Sequence, residues 1–388
     1  MLLYYKKGFI LVTTLWVLAM LTMAASFFAL WTQRTIATAQ RLQDDLQAKI
    51  EMQYTQANVI YLLTTQRFTV AGLTISEGGS GEEQLPSTLE QLDDPNKSLD
   101  EIMDEFLEMQ RRLKAQKQKP QFDIFEGKST LSVGGEIALD DKPYFGYGNT
   151  YFALQDIGGL FNLQISQDWA ISRFFELLGV ESQLHAPLIA KLQDYTDLDD
   201  LHRINGAESY HYEERELPPP RNRLLITSME SYHILDWAEQ SSLWKNHQFG
   251  QLTQTFSALR PNFNTAPSLV LQAAYNLNAQ AAEQIVKMRQ GVPFLNLRTV
   301  TQIAGMPPQI DPYETNFIAK PILRLTLWHD RTQRMQQVYI RATDKDEGGK
   351  PWRIEYRTEL KLLPRYTEIP PIYAQTSLFK PTLPTETQ

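Results

Sequence analysis

Five carboxylates crowd fifteen positions of this 388-residue chain: Asp194, Asp197, Asp199, Asp200 and Glu208. Among them Asn205-Gly206 has the composition of a tight turn. Like charges at this density repel one another unless a cation is held between them. Hard oxygen ligands presented from a loop suit calcium, although the spacing is not that of an EF-hand. A plainer reading stands beside it, in which Asp194 ends a helix, Asp197 and Asp199 cap turns, and all the carboxylates stand in water.

Other chemistries find little support. The chain has no cysteine, which removes thiol catalysis, cysteine-ligated zinc and disulfides. Its six histidines (His185, His202, His211, His233, His247, His329) form no HExxH pattern, and no GxSxG elbow accompanies them. They read as scattered core or surface residues, and no catalytic residue is assigned. With 37 basic against 45 acidic residues the net charge is −8, so a polyanion is repelled and no nucleic acid is expected. One segment points the other way: Asn262-Phe263-Asn264-Thr265-Ala266, running through Leu269, Leu271, Ala281, Ile285 and Arg289 to Pro293-Phe294, resembles the start of helix-hairpin-helix modules. Such modules bind DNA backbones through glycine amides. Here the connector is Tyr275-Asn276-Leu277-Asn278, without glycine, so a structural helix pair is expected.

The elements that must carry these residues begin with an anchor. Phe9 to Trp31 is a run of 23 residues without a charge, preceded by Lys6 and Lys7. As a helix it spans roughly 34 Å, enough for a hydrocarbon core of about 30 Å. The lysines orient the N-terminus toward the cytoplasm, which predicts a single-pass protein with everything after Trp31 on the outer side. A cleavable signal peptide is the competing reading, but helical spacing continues beyond the apolar run through Leu42, Leu46, Ile50, Tyr54, Ala57 and Tyr61.

Ser76 to Glu83 reads as a loop, and Leu99 to Lys119 as an amphipathic helix packed on one side. Strand character falls at Thr130–Asp140, Thr150–Asp156, Leu160–Ile165, Ile322–Trp328, Gln337–Ala342 and Trp352–Leu362. In the last, Trp352, Ile354, Tyr356, Thr358, Leu360 and Leu362 alternate onto one face. Between the strand groups the pattern turns helical: Trp169–Leu178, Leu184–Gln193, Ser231–Glu239, Phe249–Ser257, Pro267–Tyr275, Ala279–Arg289 and Leu297–Ile303. The expected fold class is α+β, with a long N-terminal helix and an antiparallel sheet interrupted by a large inserted all-helical domain.

Two sets of residues carry a family resemblance. Lys6-Lys7-Gly8 followed by Phe9 resembles the type IV prepilin cleavage signature, in which a membrane peptidase cuts after the glycine and the new N-terminus is methylated. The fifth residue after that cut is Thr13, where most pilins carry glutamate; its loss is similar to the K-type minor pseudopilins of type II secretion. Within the body, Gly159-Leu160-Phe161-Asn162-Leu163, the run Asp194-Tyr195-Thr196-Asp197-Leu198-Asp199, and Gly206-Ala207-Glu208 resemble motifs of that family's helical domain. The resemblance implies a 1–8 leader, a 9–31 transmembrane helix, its periplasmic continuation over 32–75, a sheet domain over 76–166 and 318–388, and a helical insertion over 167–317. It also implies a single-pass anchor in the inner membrane with the C-terminal body in the periplasm, calcium in the helical domain and a place at the tip of the pseudopilus. The implied partners are the prepilin peptidase, the major and other minor pseudopilins, and secreted protein substrates. A DNA-binding component of a competence-type pilus and a secreted hydrolase are the alternative classes.

Overall fold

The computed structural model describes residues 8–75, 131–256, 260–310, 315–343 and 349–379, and the side chains from residue 11 onward. The helix expected at Leu99–Lys119 and the loop at Ser76–Glu83 lie outside the described residues.

Helix α1 runs unbroken over Gly8–Thr65, about 87 Å at the ordinary rise. Nothing between Phe9 and Gln66 breaks it, since the stretch has neither glycine nor proline. Hydroxyls in and just after its apolar part bond back to carbonyls of the preceding turn, among them Thr14 to Leu11, Thr22 to Ala19 and Ser26 to Thr22. These hydroxyls are therefore satisfied without water, as a bilayer demands. Residues 11–31 are almost wholly exposed on the protein, Leu15, Trp16, Phe27 and Phe28 among them.

Lower down, α1 packs on the sheet through Ala48, Glu51, Thr55, Val59, Leu62 and Leu63. That is not the stripe marked by spacing, because Leu42, Leu46, Ile50, Tyr54, Ala57 and Tyr61 are exposed. Two stripes share one helix, and only tertiary contact tells which one the chain covers itself.

After a small hairpin of β1 (Phe68–Thr69) and β2 (Gly72–Leu73), strands β3 (Asp140–Phe145) and β4 (Thr150–Asp156) open the main sheet. The strand expected at Thr130–Asp140 is displaced. Gly134 and Gly135 both adopt φ of 83° and turn the chain, leaving Ile137 as a lone bridge to Leu73. The extended run at 160–165 also shrinks, to the two-residue β5 (Phe161–Asn162).

The insertion then builds α2 (Asp168–Leu177), α3 (Ser182–Thr196), α4 (Ser209–Glu213), α5 (Ser241–Trp244) and α6 (Gln248–Leu252). Strand β6 (Thr253–Gln254) pairs in parallel with β5, and α7 (Ser268–Tyr275), α8 (Ala279–Met288) and α9 (Leu297–Ala304) follow. The helix expected at Ser231–Glu239 is a 3-10 segment at Ser228–His233, stopped before Asp236 at φ 66°. Its apolar residues Ile234, Leu235 and Trp237 are nonetheless buried, so the spacing marked a core segment of a different shape. Phe161, Phe174, Phe175, Trp237 and Phe249 form the aromatic centre of the unit, with Phe161 and Phe174 stacked at 4.6 Å.

The chain returns as β7 (Ile322–His329), β8 (Arg334–Ala342) and β9 (Trp352–Lys361), giving the antiparallel order β3-β4-β7-β8-β9. Every residue of β7 is buried, because helix α1 covers one face, and the insertion together with Leu363 and Tyr366 beyond the last strand covers the other. In β9 the single apolar face expected from alternation is divided. Tyr339 pairs with Tyr356 and Ile340 with Ile354, so one extra residue, Glu355, is accommodated as a bulge. Trp352 and Ile354 consequently join the α1 side of the core, whereas Tyr356 and Leu360 join clusters on the opposite face. The short helix α10 (Arg365–Glu368) follows the sheet.

Candidate functional site

Helix α3 buries Leu188, Leu192 and Tyr195 in the helical core, and this phase carries Asp194 inward to 0% exposure. The helix ends because Asp197 turns extended, at φ −78° and ψ 177°. The loop doubles back: the Arg203 backbone N–H donates to Asp194 Oδ2 at 3.2 Å, and Gly206 N–H closes a turn on Arg203 O at 2.8 Å around Asn205 at φ 65°. Gly206 is pressed so closely on Asp194 that a Cβ there would fall on the carboxylate, 2.7 Å from its carbon. Glu208 follows, immediately before α4, with its backbone N–H donating to His211 Nδ1 at 3.0 Å.

Asp194, Asp197 and Glu208 converge here, each offering an oxygen within 4.8 Å of the others. Glu208 is 2% exposed, and both of its carboxylate oxygens are buried without a hydrogen-bond partner. Asp197 Oδ1 is buried in the same condition. Burial, and then the charges of Asp194, Asp197, Asp200 and Asp199, push the Glu208 carboxyl up to about 7. One cation is present: the Arg203 guanidinium donates through Nη1 to Asp194 Oδ1 at 2.7 Å and also to Asp197. These hydrogen bonds, donated first to Asp197 and then to Asp194, hold Arg203 firmly protonated.

Of the five carboxylates singled out by spacing, the structure brings three together. Asp199 Oδ1 instead accepts the Leu201 N–H at 2.9 Å, and Asp200 Oδ1 accepts Asn222 Nδ2 at 3.2 Å. Both lie exposed, as turn-capping residues do. Enclosed carboxylate oxygens without donors, here both of Glu208 and Oδ1 of Asp197, are the chemistry of a hard cation site, since ionised acids are not stable in burial alone, and Asp194 stands beside them. Asp194, Asp197 and Glu208 therefore fit a calcium-like ion. Spacing overlooked Arg203, although a lone cation inside an acidic run was a visible signal.

Other marked residues have structural occupations. Asp156, at the end of β4, is fully buried and accepts four hydrogen bonds: from Gly158 N at 2.8 Å, Lys320 N at 3.1 Å, Asn262 Nδ2 at 3.1 Å and Thr265 Oγ1 at 2.8 Å. Burial still leaves its carboxyl above the usual range, the four donors offsetting only part of the effect. Gly159 is the close approach at this crossing, where a Cβ would lie 2.9 Å from the Thr265 carbonyl carbon. The Asn262–Ala266 segment is thus consumed in joining insertion to sheet, and Asn264 caps the join by donating to Phe294 O and Phe317 O, both at 2.8 Å. Between α7 and α8, Asn276 sits at φ 53° and Asn278 caps α8 on the Ala281 N–H at 2.8 Å, so this connector is a helix turn. His185 is a satisfied core histidine between Ser172 Oγ and Val180 O, at 2.8 and 3.0 Å.

At the N-terminus, Gly8 is the first residue of α1 and precedes Phe9; Thr13 lies on the exposed surface of that helix. Among the described residues α1 is the one helix long and apolar enough to cross a membrane, and it is a candidate anchor.

The class this architecture defines is α+β on a pilin-like plan: one long N-terminal helix laid against an antiparallel sheet, with further helices inserted. A chain of the GspK-GspI-GspJ complex from the enterotoxigenic Escherichia coli type 2 secretion system is similar to this one at 14% identity and a TM-score of 0.40, over 71% of this chain and 97% of that chain. No protein-family model and no curated protein matches the chain.

Proposed function

We propose that this chain is a K-type minor pseudopilin, processed after Gly8, anchored in the inner membrane through 9–31, and placed at the tip of a type II secretion pseudopilus. The division of α1 carries the reading. Residues 11–31 display leucine, valine, tryptophan and phenylalanine to the outside, whereas Ala48 to Leu63 bind the sheet. Each large apolar side chain gains about 1.5–3 kcal/mol on leaving water, so the upper part of the helix belongs in lipid or against other apolar helices. Thr13 has no carboxylate to offer the N-terminal amine of a subunit ahead of it, which suits a terminal position. No reaction is assigned. The work is assembly with other pseudopilins and, through the broad insertion, contact with them or with exported protein.

Mass analysis of the N-terminus after extraction from membranes tests this reading. A start at methylated Phe9 is expected; a start near residue 26 or 27 makes the segment a signal peptide and ends the proposal. Replacing Gly8 by a bulky residue is expected to block processing.

The proposal includes a calcium-type ion held by Asp194, Asp197 and Glu208, and the unpartnered Glu208 carboxylate supports it. When bound, the ion supplies positive charge that ties the end of α3 to the chain before α4. Calcium is expected to raise the melting temperature of the wild type and not of Asp197→Ala; an identical response to calcium and chelator in both removes this part.

A further inference from the structure

We infer that Arg203 is the resident counter-cation of the acidic cluster and that a divalent ion binds there by displacing its guanidinium. The inference rests on the reading of Asp194, Asp197 and Glu208 as a calcium site. Its geometry is specific. Arg203 Nη1 stands between Asp194 and Asp197, donating to both, with the Asp194 bond at 2.7 Å. A calcium ion bound by the same carboxylates needs their oxygens at about 2.3–2.6 Å. Nitrogen and ion cannot share that place, and their like charges repel.

The arginine is also an incomplete occupant. It reaches two of the three converging carboxylates, while both Glu208 oxygens and Asp197 Oδ1 stay buried and unpartnered. A compact ion seated among all three satisfies what a planar guanidinium on one side cannot. The exchange needs little movement. The Arg203 side chain is 42% exposed, so it has a way out to solvent, while its backbone N–H can remain on Asp194 and the turn closed by Gly206 can persist. Metal-free and metal-loaded chains then share one loop framework, and the difference between them is a freed arginine on a loop that already exposes Leu198, Leu201 and Ile204.

The test uses the full chain in detergent micelles, stripped with chelator, as wild type, Arg203→Gln and Arg203→Lys. Calorimetric titration with calcium chloride is expected to show at least threefold tighter binding by Arg203→Gln, with Arg203→Lys between it and the wild type. In chelator, Arg203→Gln is expected to melt below the wild type; in saturating calcium that gap closes or reverses. A purely structural arginine lowers both melts equally, and that result, or unchanged or weaker calcium binding by Arg203→Gln, overturns the exchange while leaving the calcium reading intact. Uptake by Arg203→Gln alone supports exchange in its strongest form. If neither protein takes up calcium, the calcium reading falls and this inference with it.

Discussion

Asp156 and Glu208 are both enclosed carboxylates, and their surroundings are opposite. Asp156 sits where the sheet hands over to the insertion and receives four donors, two from backbone and two from side chains. Glu208 sits where the insertion folds back on α3 and receives none at its carboxylate, with Asp194 and Asp197 as neighbours. A buried acid with its donors in place is a joint: it fixes three distant parts of the chain relative to one another. Without donors, a buried acid is a cost in the folded chain that only a proton or a cation removes. The pair shows that one chemical group, an enclosed carboxylate, is fully supplied with donors in one place and left with none in another.

The largest expected effect breaks the joint. Asp156→Ala leaves the Gly158 and Lys320 amides and the Asn262 and Thr265 side chains without their acceptor. Loss of at least about 3 kcal/mol is expected in denaturant titration; a loss within about 0.5 kcal/mol means that Asp156 does not hold the junction. Glu208→Gln sharpens the contrast by making a similar neutralisation where there is no donor to lose. In chelator it is expected to be neutral or to stabilise by about 1 kcal/mol, while abolishing the calcium-induced rise in melting temperature. A destabilised Glu208→Gln whose calcium response is intact would place both acids in the same class.

The smallest effect concerns a third acid of intermediate kind. Glu51 on α1 accepts the Asn149 N–H at 2.8 Å, lies 3.2 Å from His329 Nε2, and is bonded by Gln47 at 2.9 Å. Burial pushes its carboxyl upward, but the hydrogen bonds of Gln47, Asn149 and His329 and the charge of His329 outweigh it, leaving it below its ordinary value of 4.5. A depressed folded value contributes stability that is present above the unfolded value and lost as pH falls through the folded one. Glu51→Gln is therefore expected to flatten the acid limb of stability below about pH 4.5, at a neutral-pH cost of about 1 kcal/mol from the weakened helix-to-sheet contact. Melting curves from pH 3 to pH 7, with an unchanged acid limb as the contrary result, decide it.

Much of this architecture was legible in local pattern. The run from Phe9 to Trp31 defined an apolar helix, and the spacing of residues 169–178, 184–193, 267–275 and 279–289 located four helices within two or three positions. Less could be read where a single residue re-phases a strand. Glu355 divides the side chains of β9 between two faces, and alternation alone contains no sign of which residue will bulge. Gly134 and Gly135 likewise move the first sheet strand to Asp140–Phe145, beyond where β-prone residues had placed it. In the candidate site, acidity was visible but membership was not: Asp199 and Asp200 are as acidic as Asp197 yet are spent on Leu201 and Asn222.

By itself the sequence determined the features that neighbours along the chain dictate: an uncharged helix long enough for a bilayer, its continuation at helical spacing as far as Tyr61, a helical middle between strand groups, and an excess of carboxylates around residue 200; that the helix stops at Thr65, short of the 32–75 expected, is read from the fold. Tertiary structure alone decided which stripe of α1 meets the sheet, which three acids converge, and which acid is a joint. Those outcomes depend on contacts between residues far apart in sequence, as Asp156 shows by meeting Asn262, Thr265 and Lys320, and burial acts on whatever groups such contacts enclose.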